Sequence, residues 1–187
     1  MTKSLFVAFS SVLLCSSIAQ AGNFTLGFND YSLQASLSQV VSQDDRGRSV
    51  LRVDGLYNDR EDSKLFSAAL EVSGPLGNTG LELGAGIKGY YVKINKLDIA
   101  AGGLGALAAF TPPGVPKLKF AGNVYYCPKV FTSLDGDRML SSGVTASYEI
   151  ASRAVVFLGY TDTRADMENN QEWKIDRGFR GGLALEF

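Results

Sequence analysis

Arg177-Gly178-Phe179-Arg180-Gly181-Gly182-Leu183-Ala184-Leu185-Glu186-Phe187 closes the chain. Phe179, Leu183, Leu185 and Phe187 share one parity, with Gly181 between them, while Arg180, Gly182, Ala184 and Glu186 share the other. Side chains alternate across a strand with period two, so this segment is a strand with one apolar face and one polar or small face. Chain ends of domains are usually frayed and polar. This one stays amphipathic to its last residue, an aromatic. Two architectures fit: a sandwich strand that happens to come last, or the closing strand of a barrel whose apolar face meets lipid. The rest of the chain has to separate them.

Upstream the same alternation recurs. Leu51, Val53, Gly55 and Tyr57 oppose Arg52 and Asp54; Phe66, Ala68, Leu70 and Val72 oppose Ser67, Ala69 and Glu71. Leu81–Val92, Leu118–Tyr126, Leu140–Ile150 and Ala154–Tyr160 follow the same rule. Ile99–Phe110 is rich in Ala, Gly and Leu, but it falls short of the roughly 20 residues a spanning helix needs and suits a tilted strand. No segment carries a helical period, so the chain is read as all-β. Eight strands lie from Val50 onward, and Asn23–Val40 adds one or two. An even number is required of a bacterial transmembrane barrel, which leaves an antiparallel up-and-down barrel of eight strands with an N-terminal appendage, or of ten. Among the connections, Ala151-Ser152-Arg153 is short, Gly74–Gly80 and Thr111–Lys117 are intermediate, and Pro128–Asp137 and Thr161–Asp176 are long. Short turns on one side and longer loops on the other are a trait of such barrels.

The N-terminus is a different kind of segment. Lys3 precedes the apolar run Leu5–Leu14, and Ala19-Gln20-Ala21 forms an A-x-A site before Gly22. That is the pattern of a secretory signal peptide, with Ala19 and Ala21 marking cleavage, so residues 1–21 are assigned to the signal and 22–187 to one barrel domain. Leu14 stands where a lipoprotein signal wants a small residue, which argues against lipidation at Cys15. Loss of Cys15 leaves Cys127 alone, so no internal disulfide can form. The chain has no histidine, which removes Ser-His and Cys-His nucleophiles, His bases and His ligands. With 18 basic against 19 acidic residues, no nucleic-acid partner is indicated.

The polar strand face separates a lipid-facing barrel from a soluble lipocalin-like barrel or sandwich. It carries small residues interleaved with single charges: Arg52, Asp54, Glu71, Glu82, Lys88, Lys119, Glu149, Arg180 and Glu186. Small residues with isolated charges of both signs suit a narrow lumen. The apolar face has aromatics near strand ends (Tyr57, Tyr91, Phe110, Tyr126, Tyr160, Phe179, Phe187), as in interfacial girdles. Glu71 and Glu82 could in principle act as acid and base, but charges in a small lumen are expected to pair with one another, giving a plugged interior. Cys127 has only Lys129 nearby to activate it, and is read as structural or incidental. Asp135-Gly136-Asp137 could hold a divalent cation; a solvated turn is the commoner meaning.

Several segments together resemble the YfaZ family of small outer-membrane proteins: Tyr57-Asn58-Asp59, Leu83-Gly84-Ala85-Gly86-Ile87-Lys88-Gly89, Asn123-Val124-Tyr125-Tyr126-Cys127-Pro128 and Gly159-Tyr160. The resemblance spans about Leu51 to Phe187 through short motifs. It implies bacterial outer-membrane placement and a barrel fold, and adds no catalytic or cofactor residues. The family tends to carry Ser where Cys127 stands, which argues against a shared role for the thiol. The closing strand also resembles the terminal strand of outer-membrane barrels, which makes Phe187, Leu185, Leu183 and Phe179 the expected assembly signal. The partners implied are outer-membrane lipid and the barrel-assembly machinery. The expected function is non-catalytic and without cofactor: a structural role, or an interaction with lipid or with a partner through the loop Thr161–Asp176. A small passive pore is the alternative, and a soluble periplasmic carrier of an apolar ligand a second.

Overall fold

The computed structural model describes residues 22–94, 97–134, 136–167 and 172–187. The signal-peptide assignment of residues 1–21 and Asp135 of the candidate cation turn lie outside these. The strands are β1 (Gly22–Phe28), β2 (Ser32–Asp44), β3 (Gly47–Asn58), β4 (Ser63–Pro75), β5 (Leu81–Ile94), β6 (Leu97–Phe110), β7 (Leu118–Cys127), β8 (Thr132–Leu134), β9 (Gly136–Ala151), β10 (Ala154–Met167) and β11 (Glu172–Glu186). All pairings are antiparallel. β1 to β7 pair in sequence, β7 pairs with β9, β9 with β10, β10 with β11, and β11 returns to β1. Ten long strands therefore close a barrel with no free edge, and the short β8 adds to the far part of β6. Closure satisfies the backbone within the sheet, which an apolar surrounding demands. Of the two strand numbers the sequence permits, the chain adopts ten, with Asn23–Val40 supplying β1 and most of β2.

The seam joins the chain ends. Gly22 and Phe187 exchange both backbone hydrogen bonds at 2.9 Å, and the register runs from Asn23 opposite Glu186 to Phe28 opposite Gly181. Gly22 and Phe187 thus lie at one end of the barrel, the terminal end, beside the connections 45–46, 76–80, 111–117 and 152–153. The connections at the far end are 29–31, 59–62, 95–96, 128–135 and 168–171.

Two expected loops contain strand. Thr161–Asp176 was expected as the longest polar loop, yet β10 runs to Met167 and β11 begins at Glu172, so only 168–171 connect them. Its polarity comes from strands that continue beyond the apolar belt, where the outward side chains meet water. There Arg164 bridges Asp162 and Glu172, and Arg177 donates to the Tyr160 hydroxyl. Pro128–Asp137 likewise contains a 3-10 turn, Lys129–Phe131, and β8. The expected contrast between short and long connections on opposite ends does not hold: on the described chain the far-end turns 29–31 and 59–62 are as tight as several terminal ones.

The exterior is apolar. Phe24, Leu37, Leu51, Leu70, Ile87, Leu104, Val144, Leu158 and Leu183 are exposed, Leu104 at 66%. This belt is far larger than an apolar patch that a soluble monomer leaves open to water. Aromatics bound it on both sides. Phe24, Phe110, Phe120, Tyr148 and Phe187 lie towards the terminal end; Phe28, Tyr57, Tyr91, Tyr126 and the edge-to-face pair Tyr160–Phe179 lie towards the far end.

Candidate functional site in the barrel interior

The interior divides along its axis. A polar cup of about 740 Å³ opens at the terminal end and reaches inward as far as Tyr90, Thr163 and Asp176. All nine charges expected to face the lumen line it: Arg52, Asp54, Glu71, Glu82, Lys88, Lys119, Glu149, Arg180 and Glu186. At its mouth Glu82 accepts from both Arg48 and Lys119, each at 3.2 Å. Deeper in, Arg52 meets Glu71 at 3.1 Å and Lys88 meets Asp54 at 2.9 Å, while Ser67 donates to Asp54 at 3.0 Å. Glu71 and Glu82 thus answer to different cations, an arrangement of compensated charge and not a paired acid and base.

Tyr125 ties this layer across the barrel. Its hydroxyl donates to Glu71 at 2.8 Å, and its ring lies under the Lys88 ammonium, 5.5 Å from the ring centroid. The inward ring has room only because its neighbours lack side chains. A Cβ on Gly105 would lie 2.3 Å from the ring, and one on Gly86 would lie 2.9 Å from the hydroxyl. Glycine inside a strand marks such close approach. The Gly-rich β5 and β6 segments are therefore the sequence signal for a large side chain filling the lumen, although the residue it accommodates lies on β7.

The second cluster sits where the β10–β11 hairpin rises beyond the short β1–β2 hairpin and reaches β3 and β4. Ser63 donates to the Ile175 carbonyl at 2.7 Å, and Asn58 to Asp176 at 2.9 Å. Arg180 bonds Asp176 and the Ser32 hydroxyl, each at 2.8 Å, and also Gln34. Thr161 completes the carboxylate's shell at 3.0 Å. Asp176 and Arg180 are only 2% and 3% exposed. Asp176 was expected within a loop; the hairpin places it in the lumen.

Beside this cluster the far half of the interior is apolar. Tyr90, Val92, Ile94, Ile99, Ala101, Cys127, Met139, Ala165 and Ile175 form one buried group, with Leu65, Leu97 and Trp173 packed against it. The sequence hint was an inversion of the pattern: at the far ends of β5, β6 and β9 the inward parity turns apolar. Cys127 belongs to this plug, with its Sγ against Gly103, consistent with a packing role. Asp137 of the candidate cation turn is instead engaged by Lys129 and Arg138. Among the described residues no cluster of His, Cys, Asp and Glu is placed to hold a metal.

An apolar belt between aromatic girdles, around a polar, ion-paired interior in a closed sheet, defines a transmembrane-type β-barrel of ten strands. No family model and no curated protein matches the chain. Among solved structures it is similar to the outer membrane channel DcaP of Acinetobacter baumannii, with 11% identity over 91% of this chain and 55% of that chain at a TM-score of 0.49. It is similar to OccK11 (OpdR) of Pseudomonas aeruginosa, with 15% identity over 92% of this chain and 55% of that one at 0.45. The KdgM porin aligns over 89% of this chain and 99% of its own at 9% identity and a TM-score of 0.43. The chain thus spans about half the length of the DcaP and OccK11 channels. Its assignment as a barrel rests on its own strand pairing.

Proposed function

We propose that the protein is a non-catalytic barrel of the bacterial outer membrane, shut to free diffusion, whose role is structural or an interaction with lipid or an external partner. The observation that carries this reading is the filled far half of the lumen: the apolar plug from Tyr90 to Ile175 beside the buried Asn58–Asp176–Arg180 cluster. Barrels of this kind keep both termini on the periplasmic side, so the polar cup opens inward and the plug lies outward. The resemblance to the YfaZ family and the signal-like residues 1–21 favour the same placement. The closing strand, ending on Phe187, is the segment offered to the assembly machinery.

A carrier with an apolar interior needs the opposite arrangement of faces. The passive-pore reading has one observation in its favour, the 740 Å³ polar cup. Planar-bilayer conductance separates the two. The plugged barrel gives no steady current, with heat-modifiable gel mobility confirming that the sample is folded. Ohmic conductance from folded wild-type protein would replace the plugged reading with the pore. Extraction by carbonate with no mobility shift would refute the membrane barrel itself.

A further inference from the structure

The apolar belt is interrupted on one flank. On the outward face of β4 and β5, successive cross-strand pairs from the far end downward are Lys64–Lys93, Phe66–Tyr91, Ala68–Gly89 and Leu70–Ile87. On β6 the neighbours of Tyr91, Gly89 and Ile87 are Ala100, Gly102 and Leu104. Small residues therefore form the floor of a dip between a row of aromatics above and a row of large aliphatics below. Phe131, thrown outward by the 3-10 turn before β8, forms a side wall; its Cβ lies 3.8 Å from where a Gly102 Cβ would stand. The result is a groove of about 400 Å³ lined by Phe66, Ala68, Gly89, Tyr91, Ala100 and Phe131. That volume falls in the range of small-ligand sites.

The groove has a charged lip. Lys64 and Lys93 are both exposed, sit opposite each other one outward row above Phe66 and Tyr91, and form no ion pair among the described residues. The Lys64 ammonium rests 5.8 Å from the centroid of the Tyr57 ring, which holds it at the level of the aromatic girdle. Carboxylates flank both lysines without pairing to them: Asp98, the register partner of Lys93, accepts from the Tyr91 hydroxyl at 3.2 Å and draws that ring towards β6, and Asp59 accepts from the hydroxyl of the Tyr57 ring beside Lys64 at 3.1 Å. Successive outward rows are spaced by about 7 Å, two residues of strand, so the lysines stand about 14 Å above the groove floor.

On the membrane reading above, on which this depends, we infer that the groove is a binding site for one anionic phospholipid or phosphoglycolipid, with its phosphate between Lys64 and Lys93 and an acyl chain on the Ala68–Gly89 floor. A bilayer guarantees acyl chains at this depth, and two ammonium groups facing each other above an apolar trough, neither in an ion pair among the described residues, favour a negative headgroup. Phe66 and Tyr91, between the two, contact the start of the chain.

The test is native mass spectrometry of the full mature protein released from nanodiscs of equal phosphatidylglycerol and phosphatidylcholine. The expected result is one retained lipid, with phosphatidylglycerol favoured roughly tenfold, less than the roughly thirtyfold of two isolated interfacial lysines because Asp98 and Asp59 stand nearby. Lys64→Gln/Lys93→Gln removes the preference. Gly89→Leu, whose Cβ meets nothing closer than 4.0 Å, fills the trough without straining the sheet and abolishes retention of either lipid. Equal retention of both lipids by folded wild type overturns the site, as does full preference in the lysine variant or full retention in Gly89→Leu. Failure of the protein to enter nanodiscs or to show a heat-modifiable band refutes the membrane reading instead.

Discussion

Asp176→Ala tests whether the far-end cluster holds the hairpin over the lumen. The carboxylate accepts from Arg180, Asn58 and Thr161 at 2.8, 2.9 and 3.0 Å, and both it and Arg180 are almost fully buried. Removing it leaves the Arg180 guanidinium facing only the Gln34 and Ser32 dipoles. Breaking a buried pair by deleting one partner costs about 3–5 kcal/mol, because an uncompensated charge stays behind. With a urea slope of about 1–3 kcal/mol/M for small proteins, the unfolding midpoint falls by about 1–5 M. The single tryptophan, Trp173, lies three residues away on the same strand and packs on the apolar plug, so its fluorescence reports this region. Urea titration of detergent- or vesicle-folded protein is the assay. Asp176→Ala/Arg180→Met removes both charges and is expected to recover at least half of the loss, since a pair replaced by apolar groups is far cheaper than a broken one. A midpoint shift below about 0.3 M for Asp176→Ala, or a double variant no more stable than the single, refutes the assignment of this cluster as the latch.

Deletion of Phe187 removes the last residue of the seam, including both hydrogen bonds with Gly22, and is expected to lower the amount of protein recovered in outer-membrane fractions; normal levels by immunoblot would count against the closing strand as the assembly signal. Gly105→Val places its Cβ about where the Tyr125 ring lies, 2.3 Å away, so either the ring or the strand must move. Overpacking of this kind costs roughly 1–3 kcal/mol, read as a lower unfolding midpoint, whereas Gly55→Val, whose Cβ meets nothing within 4 Å, should leave it almost unchanged. Cys127 is fully buried in the plug, so a maleimide should label it at least about tenfold more slowly in folded barrel than in urea, as expected when reaction awaits an opening event. Fast labelling of folded protein would show that the plug opens readily.

Much of the molecule was legible in the alternation of its residues. Period-two segments place Leu51, Leu70, Ile87 and Val144 on one face and Arg52, Glu71, Lys88 and Thr145 on the other, whichever strand count is chosen, because a strand can send consecutive side chains only to opposite sides. The nine charged residues expected inside all line the cavity for that reason. Strand boundaries were less legible. Where β10 and β11 leave the apolar surroundings, their outward positions turn polar and imitate a loop, so the pattern of Thr161–Asp176 lost its alternation although the strands stay paired as far as Asp166 and Glu172.

The sequence by itself determined the all-β class, the faces and the pool of interior charges, since each depends only on local period and residue type. Tertiary structure alone decided the strand number, the partners and the state of the lumen. Ten strands follow from β1 pairing with β11, a contact between opposite ends of the chain. Asp176 meets Asn58 only because the β10–β11 hairpin crosses a short neighbour to reach β3. Tyr125 blocks the interior because glycines on two other strands leave it space. None of these is a property of one segment. Each arises from closure, which sets side chains far apart in the chain within a few ångströms across a narrow barrel.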